Sequence, residues 1–111
     1  MTFQVVVETQ ARAEIEAAYR WLAERAPLNA VRWYNRLMNA LETLREQPCR
    51  CALARESRHF TEPIRQLLFG RATRRYRVLF VVRGTTVHVL HFRHWARAAM
   101  RRTNIRWPER E

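Results

Sequence analysis

Lysine is missing from this chain altogether: all 21 of its basic residues are arginine. Only 10 acidic residues oppose them, so the 111-residue chain has a formal net charge of +11. An excess of that size points to an anionic partner, whether nucleic acid, a ribonucleoprotein surface or an acidic protein. No apolar run approaches the roughly 20 residues that a membrane-spanning helix needs. The N-terminus also lacks a basic segment followed by an apolar one and a cleavage site, so a cytoplasmic chain with no membrane partner is expected. Cysteine is scarce. Cys49 and Cys51 are one residue apart, too close to staple a fold, and even with His59 nearby they lack zinc-like spacing. Reduced thiols are expected, with no metal and no cofactor. Repeats and low-complexity tracts are absent too, and a chain of this size buries roughly two thirds of its unfolded surface around one core.

Glycine is almost as rare, with 2 in the chain. One of them, Gly84, follows Arg83 between two β-rich runs, 76–82 and 85–92, and predicts a hairpin. Taking Arg83-Gly84 as the turn and counting outward pairs Val82 with Thr85, Phe80 with Val87, Val78 with Val89, Tyr76 with His91 and Arg74 with Arg93. The other side then carries Arg75, Arg77, Leu79 and Val81 opposite Thr86, His88, Leu90 and Phe92, with His94 diagonal to Arg75. Residues 3–8 read as a first strand, and Thr9 can cap a helix over 11–25 whose apolar stripe is Ile15, Ala18, Tyr19, Leu22 and Ala26. Pro27 opens a second helix, with Ala30, Trp33 or Tyr34, Leu37, Leu41 and Leu44 on one side before Pro48 ends it. Residues 47–62 have no clean period and read as a loop. The run 64–69, closed by Gly70, is a strand, and 95–100 can start a helix.

The order is β-α-α-β-β-β: an α+β domain over 1–97 in which a helical hairpin packs on one face of a small, mostly antiparallel sheet, followed by a basic, partly disordered tail over 98–111. Helices over Phe80, Val78, Val87 and Val89 leave the side with Arg75, Arg77 and His94 open. Both sides carry apolar residues, so the reverse assignment also stands.

These same stretches resemble the RelE/ParE superfamily of toxins from bacterial type II toxin–antitoxin systems. The resemblance covers residues 3–97. It rests on the first helix with Tyr19, the second reading PLNAVRWYNRL to LREQP, the strand PIRQLLFG, and RYRVLFVVRGTTVHVLHFRHWAR. It implies a toxin neutralised by a cognate antitoxin. RelE-like members are ribosome-dependent endoribonucleases cutting mRNA, whereas ParE-like members poison DNA gyrase. If this chain is a nuclease, the resemblance assigns Arg77 and Arg75 to phosphate charge, His94 to acid–base work and Arg65 to holding the backbone, and it puts Glu56 in a loop where a subset uses a glutamate. The lysines of several ribosome-dependent members are absent, however, and the indole of Trp95 cannot replace an acid–base phenol. The helix pair with Trp33-Tyr34 is closer to ParE-like sequences, so gyrase is favoured over ribosome and mRNA, with a non-toxic basic nucleic-acid-binding protein as a third reading. The residues also admit plainer roles. Arg77 can pair with a carboxylate such as Glu62 or Glu56, and His91 reads as a hydrogen-bonded structural histidine.

Overall fold

The computed structural model describes residues 1–108. The last three positions of the expected tail, 109–111, lie outside the described residues. Strand β1 (Gln4–Val7) leads into helix α1 (Thr9–Arg25), and α2 (Pro27–Glu42) returns antiparallel to it. Then come β2 (Arg65–Phe69), β3 (Tyr76–Arg83) and β4 (Thr86–His94). The sheet order is β1-β4-β3-β2, with β1 parallel to β4 and the other pairs antiparallel. The expected α+β architecture is therefore present.

The helices form where the apolar stripes predict. Ala11, Ile15 and Leu22 of α1 are buried together with Ala30, Trp33, Leu37 and Leu41 of α2, and both rows face Val78, Phe80, Val87, Val89 and Phe92 of the sheet. Trp33 is the centre of this layer, with its ring edge-on to Phe69, Tyr76 and Phe92 at 5.9 Å each. Such aromatic pairs contribute about 0.5–1.5 kcal/mol each beyond area burial. The core reading of Trp33 thus holds, while Tyr34 stays at the surface against Tyr19. Thr9 is the first helical residue rather than the cap. The cap position is Glu8, and its carboxylate turns away to His88 Nδ1 at 2.7 Å.

The hairpin register differs from the count. Gly84 and Thr85 form the turn, so Arg83 pairs with Thr86 and Phe80 with Val89. Gly84 has φ +58, which suits the first central position of a type II′ turn. Moving the turn by one residue shifts every pair by two, and because side chains alternate with period two, Phe80 and Val89 keep the face expected of them. A bulge at Leu90 then changes parity: Leu79 pairs with His91, Val78 with Phe92 and Tyr76 with His94. Phe92 and His94 therefore cross to the helix side, and His91 leaves the core face on which the count had put it.

Glu14 explains why the bulge is stable. Its Oε1 accepts the Phe92 N–H at 2.9 Å and its Oε2 lies 3.4 Å from His91 Nδ1, while His91 Nε2 accepts the Arg106 N–H at 2.9 Å. His91 is the structural histidine expected. Burial works against the Glu14 carboxylate, but these bonds from His91 and Phe92, with one from Gln10, outweigh it and lower its pKa.

The face expected to be open is closed. Ile64, Leu79, Val81 and Leu90 form a second cluster with Ala54, Met100 and Ile105, edged by Phe60 and Trp107. The loop 47–62 supplies part of the cover through two 3₁₀ turns, Pro48–Arg50 and Arg55–His59, with 52–54 laid beside β2. The helix expected at 95–100 does not form. After a turn at His94–Arg97 the chain crosses this face, burying Met100 and Ile105 of the stretch expected as tail.

Gly70 closes β2 at φ +84, and a Cβ there would collide with the Arg74 carbonyl, whereas nothing crowds Gly84. Gly70→Ala should therefore lower unfolding stability by about 1–3 kcal/mol. Gly84→Asn, in open space and a conformation that asparagine tolerates, should cost less. Urea unfolding of the two variants orders them.

Candidate functional site

Strand alternation puts Arg77 on the face away from the helices, between Leu79 and the loop before β3. There it meets protein rather than solvent. Its Nη1 and Nη2 donate to Glu56 Oε1 and Oε2 at 2.9 and 2.8 Å, and Nη1 also reaches Gln66 Oε1 at 3.2 Å. The Met100 N–H donates to Glu56 Oε2 at 2.8 Å. Arg77 is 2% exposed and Glu56 1%. The 3₁₀ turn carrying Glu56 is held by Ser57, whose Oγ accepts the Ile64 N–H at 2.9 Å. Burial by itself would raise the Glu56 pKa, but the Arg77 guanidinium, the Met100 amide and its own backbone amide outweigh that and hold it at about 2.

This corrects the expectation that Arg77 looks outward. Met100 and Ile105 need burial, the segment carrying them crosses this face, and the arginine underneath is tolerated because a bidentate carboxylate meets it. Arg77 Nε remains buried without a partner, as does Nε of Arg93, its cross-strand neighbour. Burial, with repulsion from Arg97 and Arg77, lowers the Arg93 pKa.

The other nuclease candidates lie apart from Arg77. Arg65 pairs directly with Phe80, so its side chain starts on the helix side of the sheet, and its Nη1 donates to the Cys51 carbonyl at 2.7 Å. His94, turned to the helix side by the bulge, uses both ring nitrogens. Nε2 donates to the Thr73 carbonyl at 2.6 Å and Nδ1 accepts the Ala96 N–H at 3.2 Å, an arrangement that fits the neutral Nε2–H ring. Arg75 is half-buried beside it, its guanidinium 5.7 Å from the Trp95 ring and its carbonyl accepting the Trp95 N–H at 2.8 Å. Arg75 and His94 are thus neighbours, while Arg65 and Arg77 are on opposite faces, and no single point gathers all four. The sequence reading missed Glu14, which holds the bulge, and offered Glu62 to Arg77, whereas its carboxylate takes Arg83 Nε and Nη2 at 2.7 and 2.9 Å. That bond, opposed by burial, lowers the Glu62 pKa. Both are lone glutamates in sequence, and only the fold brings their partners to them.

Among the described residues no group of three or more His, Cys or carboxylate side chains could hold a metal ion, and no helix is long and apolar enough to cross a membrane. The molecule is a small arginine-rich α+β domain, a helical hairpin on a mixed four-stranded sheet whose far face is shut by an ion pair. The model of the family described as "ParE toxin of type II toxin-antitoxin system, parDE" matches residues 5–99, and the chain belongs to that family, as a toxin of the type II toxin–antitoxin class. In fold it is similar to a chain of the solved chromosomal ParDE TA system from P. aeruginosa. The two are 18% identical, the match covers 84% of this chain and 96% of that one, and the TM-score is 0.68. No curated protein matches it in sequence.

Removing one member of a buried pair strands the other, so Glu56→Ala or Arg77→Ala should cost about 3–5 kcal/mol. Since the folded Glu56 pKa lies below its ordinary 4.5, its contribution is complete above about pH 4.5 and is lost as pH falls towards about 2. The stability gap between wild type and Glu56→Gln should close over that window in urea titrations. A gap that stays constant with pH would mean that the carboxylate charge is not what holds the face.

Proposed function

We propose that this toxin acts by binding and poisoning DNA gyrase and is neutralised by a cognate antitoxin, without cutting nucleic acid itself. The observation that carries the choice is the bidentate Glu56–Arg77 pair. Metal-free RNA cleavage needs a base for the 2′-OH, cations for the charge on the phosphorane and an acid for the leaving oxygen, all reachable by substrate. The arginine expected at the scissile phosphate is shut behind Met100, and the histidine expected as acid or base has a backbone partner on each ring nitrogen. The family match over 5–99 supports the same side of the choice.

An antitoxin has a suitable surface. Among the described residues strand β1 pairs only with β4, which leaves its outer edge open for an incoming extended segment. Beside that edge runs a groove of about 360 Å³ lined in part by Val5, Val7, Ile15, Tyr34 and Met38. With a chain charge of +11, an acidic and flexible partner that orders on binding is the natural occupant.

The test is a supercoiling assay with purified gyrase. Stoichiometric toxin should inhibit supercoiling, and pre-mixing with antitoxin should restore it. No inhibition at excess, from protein that still binds its antitoxin, rejects gyrase. Codon-phased mRNA cuts in primer extension from expressing cells, lost in a folded His94→Ala variant, would establish the ribonuclease reading in its place.

A further inference from the structure

The loop joining β2 to β3 is strained and held. Ala72 has φ +55, a left-handed conformation that crowds an alanine Cβ against the following carbonyl, and Gly70 has φ +84. Strain of this kind persists only where the surroundings over-determine it. Here they do, since His94 Nε2 grips the Thr73 carbonyl and the Trp95 N–H grips that of Arg75. The loop so fixed presents Arg71, Arg74 and Arg75, none of which has an ion-pair partner among the described residues.

Two indoles flank these cations. Trp21 near the end of α1 is 49% exposed, with the Arg25 guanidinium 3.9 Å from its ring and that of Arg74 at 5.5 Å. Trp95 is also 49% exposed, beside Arg75. Trp21, Arg74, Tyr76 and His94 share with Thr73 a cleft of about 320 Å³. Uncompensated guanidinium groups call for anions, and exposed indole and guanidinium planes call for flat π-systems.

We propose that this corner is a binding site for single-stranded nucleic acid, with phosphates on Arg71, Arg74 and Arg75 and unstacked bases against Trp21 and Trp95. An acidic peptide would satisfy the arginines and leave the indoles idle. A duplex hides its base faces in its own stack, so only a single strand uses both features. The site needs neither gyrase nor antitoxin, and it stands or falls on naked oligonucleotides whatever the target of the toxin.

The test is fluorescence anisotropy of the full chain with labelled oligothymidylate and oligouridylate of roughly twelve nucleotides, with a duplex of equal length and polyglutamate as competitors. Expected is tighter binding of one or both single strands than of duplex, weakened roughly 5- to 150-fold by Trp21→Ala and kept by Trp21→Phe. Arg71→Gln with Arg74→Gln should weaken binding and flatten its salt dependence. Arg32→Gln with Arg36→Gln removes the same charge from the exposed side of α2 and should do much less. Thermal unfolding checks each variant, and Trp95→Ala, in an exposed turn, substitutes for Trp21→Ala if that protein does not fold. The proposal is overturned if the α2 pair weakens binding as much as the loop pair, if duplex or polyglutamate competes better than a single strand, or if folded indole variants bind like wild type.

Discussion

A buried carboxylate and a buried guanidinium decide the form of this molecule. The Glu56–Arg77 contact brings together a 3₁₀ turn in the central loop, the inner strand β3 and, through the Met100 amide, the chain after β4. Taking two charges out of water offsets most of their attraction, so the pair is a poor source of net stability. Its effect is on arrangement. Any other placement of the 55–59 turn or the segment around Met100 leaves a charge unpaired in an apolar cluster, which costs far more than a misplaced methyl group. With the face closed in this way, the arginine of the central strand becomes part of the interior, and cationic chemistry is left to the rim.

The placement of the acids sharpens that division. Glu8 meets His88, Glu14 meets His91 and the Phe92 amide, Glu56 meets Arg77, and Glu62 meets Arg83. Each tie joins elements distant in sequence, and each carboxylate so used is at least partly withdrawn from the surface. The outside is therefore more cationic than a charge of +11 suggests. Arg71, Arg74 and Arg75 make no ion pair among the described residues, so their charge adds a local field favourable to anions.

Sequence periodicity revealed the layers and not the details of closure. The stripes Ile15–Leu22 and Ala30–Trp33–Leu37–Leu41 settled two helices because each buries one side only, and alternation in 76–82 settled a strand. The turn was displaced by one residue because Arg83-Gly84 and Gly84-Thr85 both offer a glycine, and composition does not say which neighbour shares the loop. The bulge at Leu90 was not visible at all. It depends on Glu14, some seventy-eight positions away, accepting the Phe92 amide. The second core was missed for a related reason. Met100 and Ile105 sit singly among arginines, a pattern without period, and they become core only because the sheet beneath them is apolar. Glu56 as a partner for Arg77 was among the pairings the sequence offered, although nothing in it ranked Glu56 above Glu62.

The anchor of the final segment is a main-chain amide. A backbone N–H is common to every residue except proline, so the grip of Glu56 on position 100 is indifferent to the side chain there and sensitive to the number of residues since β4. Relatives that keep the carboxylate can therefore vary the exposed side chains of this crossing while holding its length, since one residue inserted or removed between His94 and Met100 would present the wrong amide. Along this stretch the spacing decides which amide meets Glu56, while the letters matter where the fold buries or bonds them, as at His94 and Met100.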